Sequence, residues 1–227
     1  MERIKWLMLI FLLAGSQHGI NAQDWADLNR FKKKNIELGA PKPGEERIVF
    51  MGNSITEGWP VKDPEFFENP AFVNRGISGQ TTPQMLLRFR SDVIGLKPKV
   101  VVILAGTNDI AGNTGPMTLE EIRDNIISMA ELAKANGIKV IISSVLPAYD
   151  YQWKPGVQPN IKIPQLNSLL KEYAVKSNIL YLDYFSAMAD DRNGLPLAYA
   201  EDGVHPTKEG YDVMKPMVLD AIRKALK

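Results

Sequence analysis

Five consecutive branched aliphatic residues, Val100-Val101-Val102-Ile103-Leu104, constrain the fold of this chain more than any other segment. The run does not alternate apolar with polar residues, so a strand formed from it must be buried on both faces. Strands of that kind are typical of parallel sheets that are covered by helices on both sides. The segment therefore predicts an α/β fold with a central parallel sheet.

Four other short segments are rich in branched and aromatic residues and are also predicted to be strands. Together with residues 99–104 they give a sheet of five strands, the others being Arg47–Met51, Ala71–Val73, Lys139–Val145 and Ile179–Asp183.

Helical patterns lie between these strands. The clearest runs from Thr118 to Ala135, where apolar residues recur every three or four positions and Thr118 with Glu121 forms a capping box. Further helices are predicted over residues 24–38, over Gln165–Lys176 and from about Thr207 onward. Alternating strands and helices imply right-handed βαβ units. The predicted architecture is a three-layer α/β/α sandwich, flavodoxin-like, with a five-stranded parallel sheet.

Residues 1–22 are predicted to be a secretory signal peptide. Arg3 and Lys5 precede an apolar run of nine residues, Trp6 to Ala14. That run is far shorter than the roughly 20 residues needed to span a bilayer, and cleavage after Ala22 is expected. Residues 23–227 are therefore predicted to be a single domain, exported to the periplasm or out of the cell, with no stable membrane anchor.

The charge of the mature chain argues against a nucleic-acid partner. The leader holds two of the 27 basic and one of the 26 acidic side chains, which leaves 25 of each. A formally neutral chain lacks the basic surface that phosphate backbones require. The chain has no cysteine, so neither disulfides nor a thiolate metal site are expected.

Ligands of open α/β sheets bind beyond the carboxyl ends of the strands, and the first loop of that kind contains Ser54. A serine at a strand-to-helix turn can be either a helix N-cap or a nucleophile. The loop is not the nucleophile elbow of α/β-hydrolases, because Thr56 occupies the position of the second glycine. It also lacks the lysine of a phosphate-binding P-loop.

The loops after the second and third strands supply possible hydrogen-bond donors. Gly76 and Gly79 would expose main-chain amides to a ligand, although a simple turn explains them equally well. Asn108 offers a carboxamide, although asparagine is also common in turns and helix caps.

His205 is the only histidine outside the predicted leader. The ordinary pKa of histidine, about 6.5, suits a general base near neutral pH. Asp202 lies three residues before it, close enough across a turn to bind one imidazole nitrogen and leave the other for a nucleophile. Alternatively, Asp202 and Gly203 form only a surface turn.

The four loops together resemble the SGNH hydrolase superfamily, also called GDSL esterases and lipases. The matching segments are Met51-Gly52-Asn53-Ser54-Ile55-Thr56, Gly76-Ile77-Ser78-Gly79, Gly106-Thr107-Asn108-Asp109 and Asp202-Gly203-Val204-His205-Pro206. The resemblance covers about residues 47–225. One departure is visible, since Asn53 replaces the aspartate that usually precedes the serine.

The resemblance implies a serine ester hydrolase. Ser54 would be the nucleophile, His205 the base and Asp202 the residue that orients the imidazole. The oxyanion would be bound by the main-chain amides of Ser54 and Gly79 and by the side chain of Asn108. No metal or organic cofactor is required.

The natural ester is less constrained than the reaction. Trp59 and three aromatic residues of the loop after the fourth strand, Tyr149, Tyr151 and Trp153, could stack on sugar rings or simply pack the loop. Export and the resemblance favour removal of a short acyl group, acetyl above all, from a carbohydrate or similar small ester. A lysophospholipase or short-chain lipid esterase is the alternative. A non-catalytic module that binds sugars or nucleotides is a third possibility, but it would not need Ser54, Asp202 and His205 together.

Overall fold

The computed structural model describes residues 24–227, so the predicted signal peptide lies outside the described residues. The central sheet is parallel throughout and has the strand order β2-β1-β3-β4-β5, which is the flavodoxin-like order. Its strands are β1 Ile48–Gly52, β2 Phe72–Gly76, β3 Val100–Leu104, β4 Lys139–Ser143 and β5 Leu180–Leu182. The predicted five-stranded parallel sheet is confirmed.

Eight α-helices connect or flank the strands in the described residues. They are α1 Lys32–Leu38, α2 Ser54–Lys62, α3 Thr82–Asp92, α4 Thr107–Ile110, α5 Leu119–Ala135, α6 Pro159–Lys176, α7 Tyr184–Met188 and α8 Lys208–Leu226. Short 3₁₀ helices follow α2 at Pro64–Glu68 and α3 at Ile94–Leu96.

Strand β3 is buried on both faces, as its composition predicts. Val101 and Ile103 belong to one apolar core, which also contains buried residues of α3, α5 and α6. Val100, Val102 and Leu104 point to a second core, which is completed by buried residues of α2 and α8. The alternation of strand side chains thus divides the protein into the three predicted layers.

Two glycines at the carboxyl edge of the sheet let α2 approach the strands closely. A Cβ atom on Gly76 would lie 2.2 Å from the main-chain nitrogen of Glu57, and one on Gly52 would lie 2.0 Å from Oγ1 of Thr56. Neither position has room for a side chain. Gly76 thus lets the backbones of β2 and α2 pack directly against each other, and Gly52 leaves room for the Thr56 side chain.

The structure corrects the extent of two predicted helices. The predicted helix over residues 24–38 is helical only from Lys32, because the Asp24 carboxylate accepts the main-chain N–H groups of Leu28 and Asn29 and Asp27 has a φ of 52°. Helix α6 begins earlier than predicted, at Pro159, since proline is well suited to the first helical position.

Within residues 24–227, none of the helices combines the length and the apolar character that a membrane crossing requires.

Candidate active site

Ser54 is the first residue of α2 and follows the end of β1 by two positions. The side chain of Asn53 caps the helix, with its Oδ1 accepting the N–H of Ile55 at 3.0 Å. Asn53 is buried, and an amide oxygen caps a helix as well as a carboxylate does without placing a charge there. Asparagine therefore fulfils the local structural role at this position, and the helix N-terminus directs its partial positive charge toward the serine.

Ser54, His205 and Asp202 form a continuous chain of hydrogen bonds. Ser54 Oγ lies 2.9 Å from His205 Nε2, and His205 Nδ1 lies 2.6 Å from Asp202 Oδ2. The first pair is separated by 151 positions in the sequence. The arrangement gives the serine a base and gives that base a carboxylate on its far side.

Both oxygens of Asp202 are engaged. Oδ1 accepts the main-chain N–H of His205 at 2.7 Å and that of Val204 at 2.9 Å, while Oδ2 faces the imidazole. Burial raises the pKa of Asp202, but the hydrogen bonds from His205 and Val204 outweigh burial and bring the pKa below its ordinary value. The carboxylate is thus held in its charged form and in one orientation.

Ser54, Gly79 and Asn108 follow the ends of three adjacent strands. Gly52 at the end of β1 pairs in register with Gly76 of β2 and with Leu104 of β3, so these three strands end along one line at the edge of the sheet. Gly79 has a φ of 76°, a backbone conformation that glycine adopts without strain. The main-chain N–H groups of Ser54 and Gly79 donate to no acceptor within the described part of the chain.

Asn108 lies in α4 and is 4% exposed. Its Nδ2 donates to the main-chain oxygen of Gln80 at 2.9 Å, which orients the amide and leaves its second hydrogen for another acceptor. Asn113 Nδ2 donates to the main-chain oxygen of Gly79 at 3.1 Å. Two asparagines that follow β3 therefore hold two successive residues of the loop after β2, Gly79 and Gln80.

Glu57 also belongs to this region, although no sequence motif singles it out. Its Oε2 accepts both the N–H of Ser78, at 2.8 Å, and the Ser78 hydroxyl, while Oε1 accepts from Arg30 at 2.8 Å. Burial raises the pKa of Glu57, but these hydrogen bonds outweigh it and the pKa lies below its ordinary value. Only the position of Glu57, three residues after Ser54 in the first turn of α2, could have indicated this contact.

The four aromatic residues that could stack on a sugar, Trp59, Tyr149, Tyr151 and Trp153, lie in different environments. Trp59 is 2% exposed and stacks between Phe66 and Tyr211 in the core, so the expectation that it reaches a substrate is corrected. Tyr151 is fully buried and requires the same correction, since its ring lies beneath Trp153.

Trp153 and Tyr149 are exposed. Trp153 stacks on Tyr151 with ring centroids 4.8 Å apart, and its own centroid lies 6.3 Å from that of the His205 ring. Tyr149 carries the Arg192 guanidinium over its ring at 4.9 Å. Trp153 is thus an exposed aromatic surface that is supported from below and borders the imidazole.

The chain belongs to the GDSL-like Lipase/Acylhydrolase family, whose model matches residues 50–213. A solved structure of a GDSL-like lipase from Bacteroides thetaiotaomicron is 48% identical and superposes with a TM-score of 0.86, covering 88% of this chain and 98% of that one.

Two curated proteins are also similar. An acetylxylan esterase from Xylanibacter ruminicola is 23% identical over 257 residues, which include 94% of this chain and 52% of that protein. An uncharacterized lipoprotein from Bacillus subtilis, YqeF, is 33% identical over 129 residues, which include 49% of this chain and 53% of that protein. The chain therefore spans about half the length of these two relatives.

Asp109, the neighbour of Asn108, is a buried carboxyl group. Its Oδ1 accepts the N–H and the hydroxyl of Thr82, at 2.8 and 2.6 Å, while its Oδ2 has no hydrogen-bond partner in the described structure. Burial raises the pKa of Asp109 to about 6, against the opposing effect of the bonds from Thr82. Because this pKa is higher in the folded than in the unfolded chain, ionisation of Asp109 destabilises the fold as the pH rises from about 4 to about 6.

We expect Asp109→Asn to remove this pH dependence. The free energy of unfolding of the variant, relative to wild type, should increase between pH 4 and pH 7 by about 2 kcal/mol, most of the effect of a shift of roughly two pKa units. Urea unfolding of both proteins at the two pH values measures this difference. A difference that stays constant with pH would show that Asp109 does not titrate in this range.

Proposed function

We propose that this chain is a carboxylic ester hydrolase that removes a short acyl group, in the first place acetyl, from a carbohydrate or a similar small ester through an acyl-enzyme on Ser54. The observation that carries the proposal is the chain of contacts Ser54 Oγ–His205 Nε2 and His205 Nδ1–Asp202 Oδ2, at 2.9 and 2.6 Å. These distances allow proton transfer from the serine without rearrangement of the site.

In the proposed acylation, Ser54 Oγ attacks the ester carbonyl carbon while His205 Nε2 takes its proton. The carbonyl oxygen becomes negative and is bound by the main-chain N–H groups of Ser54 and Gly79 and by the free hydrogen of Asn108 Nδ2. Collapse of this intermediate breaks the bond to the alcohol, which leaves with the proton from His205. Water then attacks the acyl-enzyme, His205 takes the water proton and returns it to Ser54, and the acid is released.

Ser54→Ala tests the nucleophile. We expect kcat for p-nitrophenyl acetate to fall by at least about 10⁴-fold, and covalent labelling by a serine-directed phosphonate to disappear, because the proposed acyl-enzyme forms on the Ser54 hydroxyl. Ser128→Ala on α5 is a matched control, since this hydroxyl donates only to the main-chain oxygen of Asp124, and it should keep full activity. An unchanged rate in Ser54→Ala would exclude the proposed mechanism.

Asn108→Ala tests the oxyanion site. Loss of one donor that acts mainly in the transition state should lower kcat by roughly 10²- to 10³-fold and leave KM nearly unchanged. Steady-state kinetics with p-nitrophenyl acetate separates the two constants. A loss confined to KM would instead assign Asn108 to substrate binding in the ground state.

A sugar as the alcohol part of the ester is supported by Trp153. A tryptophan that is 46% exposed, with one face packed on the buried Tyr151, is a preformed flat surface, and it borders the imidazole that would protonate the leaving alcohol. Aromatic faces bind the apolar faces of sugar rings with little loss of side-chain freedom. The name of the Xylanibacter relative, an acetylxylan esterase, agrees with an acetylated sugar.

Trp153→Ala should raise KM for acetylated xylo-oligosaccharides by roughly 3- to 10-fold, the equivalent of one aromatic contact, while kinetics with p-nitrophenyl acetate change by less than about 2-fold. Trp25→Ala is the matched control, because Trp25 is 47% exposed and lies on the segment before α1. Equal kinetics of both variants on the oligosaccharides would remove Trp153 from substrate recognition. Faster hydrolysis of lysophospholipids than of acetylated sugars by wild type would favour the lipid esterase.

We also propose that residues 1–22 are removed and that residues 23–227 act as one domain in the periplasm or outside the cell. The short apolar run after Arg3 and Lys5 supports this, as does similarity to a protein described as a lipoprotein.

A further inference from the structure

Arg88 of α3 is completely buried. Its three nitrogens donate in three directions: Nε to Gln80 Oε1 at 2.5 Å, Nη2 to the main-chain oxygen of Gly52 at 3.0 Å and Nη1 to Asp92 Oδ2 at 3.2 Å. Burial of a guanidinium is unfavourable unless it is paired and hydrogen-bonded. Burying an arginine only to fill space would be unfavourable, so its hydrogen-bond partners indicate its role.

Two of these partners belong to the two loops of the candidate active site. Gly52 ends β1 and precedes Ser54 by two residues, and its oxygen also accepts the N–H of Ile77 at 3.1 Å. Gln80 directly follows Gly79. One planar guanidinium therefore connects the loop of the proposed nucleophile with the loop of the proposed oxyanion donor.

Gln80 extends this connection to Asn108. The Gln80 side chain is held at both ends, since Oε1 accepts from Arg88 and Nε2 donates to the main-chain oxygen of Ala26 at 2.8 Å. Its main-chain oxygen accepts from Asn108 Nδ2 at 2.9 Å. Gln80 is 4% exposed, so water does not compete for these bonds. The orientation of the Asn108 amide thus depends on where Arg88 holds Gln80.

We propose that Arg88 and Gln80 are positioning residues for ester hydrolysis, which set the distance between Ser54 and the oxyanion donors without touching the substrate. This inference rests on the proposed function of Ser54 and Asn108. Displacements of about 1 Å in such a site lower the rate by roughly 10²-fold, whereas ground-state binding of a small ester depends much less on them. Loss of either side chain should therefore lower kcat and leave KM nearly unchanged.

Arg47 provides a matched control for Arg88. Arg47 is 1% exposed, its Nε donates to Glu45, and its Nη1 donates to the main-chain oxygens of Gly39 and Leu96. It lies just before β1, at the opposite end of that strand from Ser54. Lysine keeps the charge at either position but has a single nitrogen and cannot span three partners. Arg88→Lys and Arg47→Lys should both lower the melting temperature, but only Arg88→Lys should lower kcat.

We expect Arg88→Lys to lower kcat for p-nitrophenyl acetate by roughly 10- to 100-fold with KM within 2-fold, when assayed well below its melting temperature. Arg47→Lys should stay within 2-fold of wild type in both constants. Gln80→Met removes the acceptor for Arg88 at similar volume and should reproduce the kcat loss, which also provides the test if Arg88→Lys does not fold. Equal kcat values for the Arg88 and Arg47 variants, or an unaffected Gln80→Met, would overturn the proposal.

Combination with Asn108→Ala tests the route through the oxyanion site. If Arg88 acts by orienting Asn108, then Arg88→Lys should lower kcat by less than about 3-fold in the Asn108→Ala background, because the two losses are not independent. Fully additive losses would contradict that route. If Ser54→Ala keeps full activity, the proposed function itself is wrong. If Ser54→Ala is inactive but the Arg88 variant has normal kinetics, only the positioning role of Arg88 is wrong.

Discussion

The parallel alignment of β2, β1 and β3 is the constraint on which the candidate active site depends. Since Gly52 pairs with both Gly76 and Leu104, these strands end along one line, and Ser54, Gly79 and Asn108 follow within a few residues. Loops this short leave little conformational freedom, so the sheet itself places the serine and the two donor groups close together. The apolar cores on both faces stabilise that alignment.

The histidine reaches this edge from a different part of the fold, and its position depends on α8. Thr207 caps α8, and the Tyr211 hydroxyl donates to the main-chain oxygen of Ile55 in α2 at 2.6 Å. Val204, which stands between Asp202 and His205 in the sequence, is buried in the apolar core. The loop with the carboxylate and imidazole is thus attached to the helix that begins with Ser54, which keeps the two halves of the site together.

Sequence patterns predicted the parts of the fold that arise from local residue periodicity. The five strands, α5 and the start of α8 are confirmed because continuous apolar runs, helical periodicity and helix capping are encoded within a few positions. The patterns did not identify Arg88 and Gln80, since a polar side chain on a helix or loop is usually exposed to solvent. They also left open whether Trp59 and Tyr151 contact substrate or pack in the interior, because composition does not reveal which face of an aromatic residue is covered.

The sequence by itself determined the class of fold and the residues that carry the family motifs, because both depend on residue types at short spacings. Only the tertiary structure decided how those residues meet: that Ser54 and His205 are 2.9 Å apart across 151 positions, that Trp153 borders the imidazole, and that a buried guanidinium joins two loops. These contacts depend on which strands are neighbours and where they end. That information resides in long-range packing and not in any single segment of the chain.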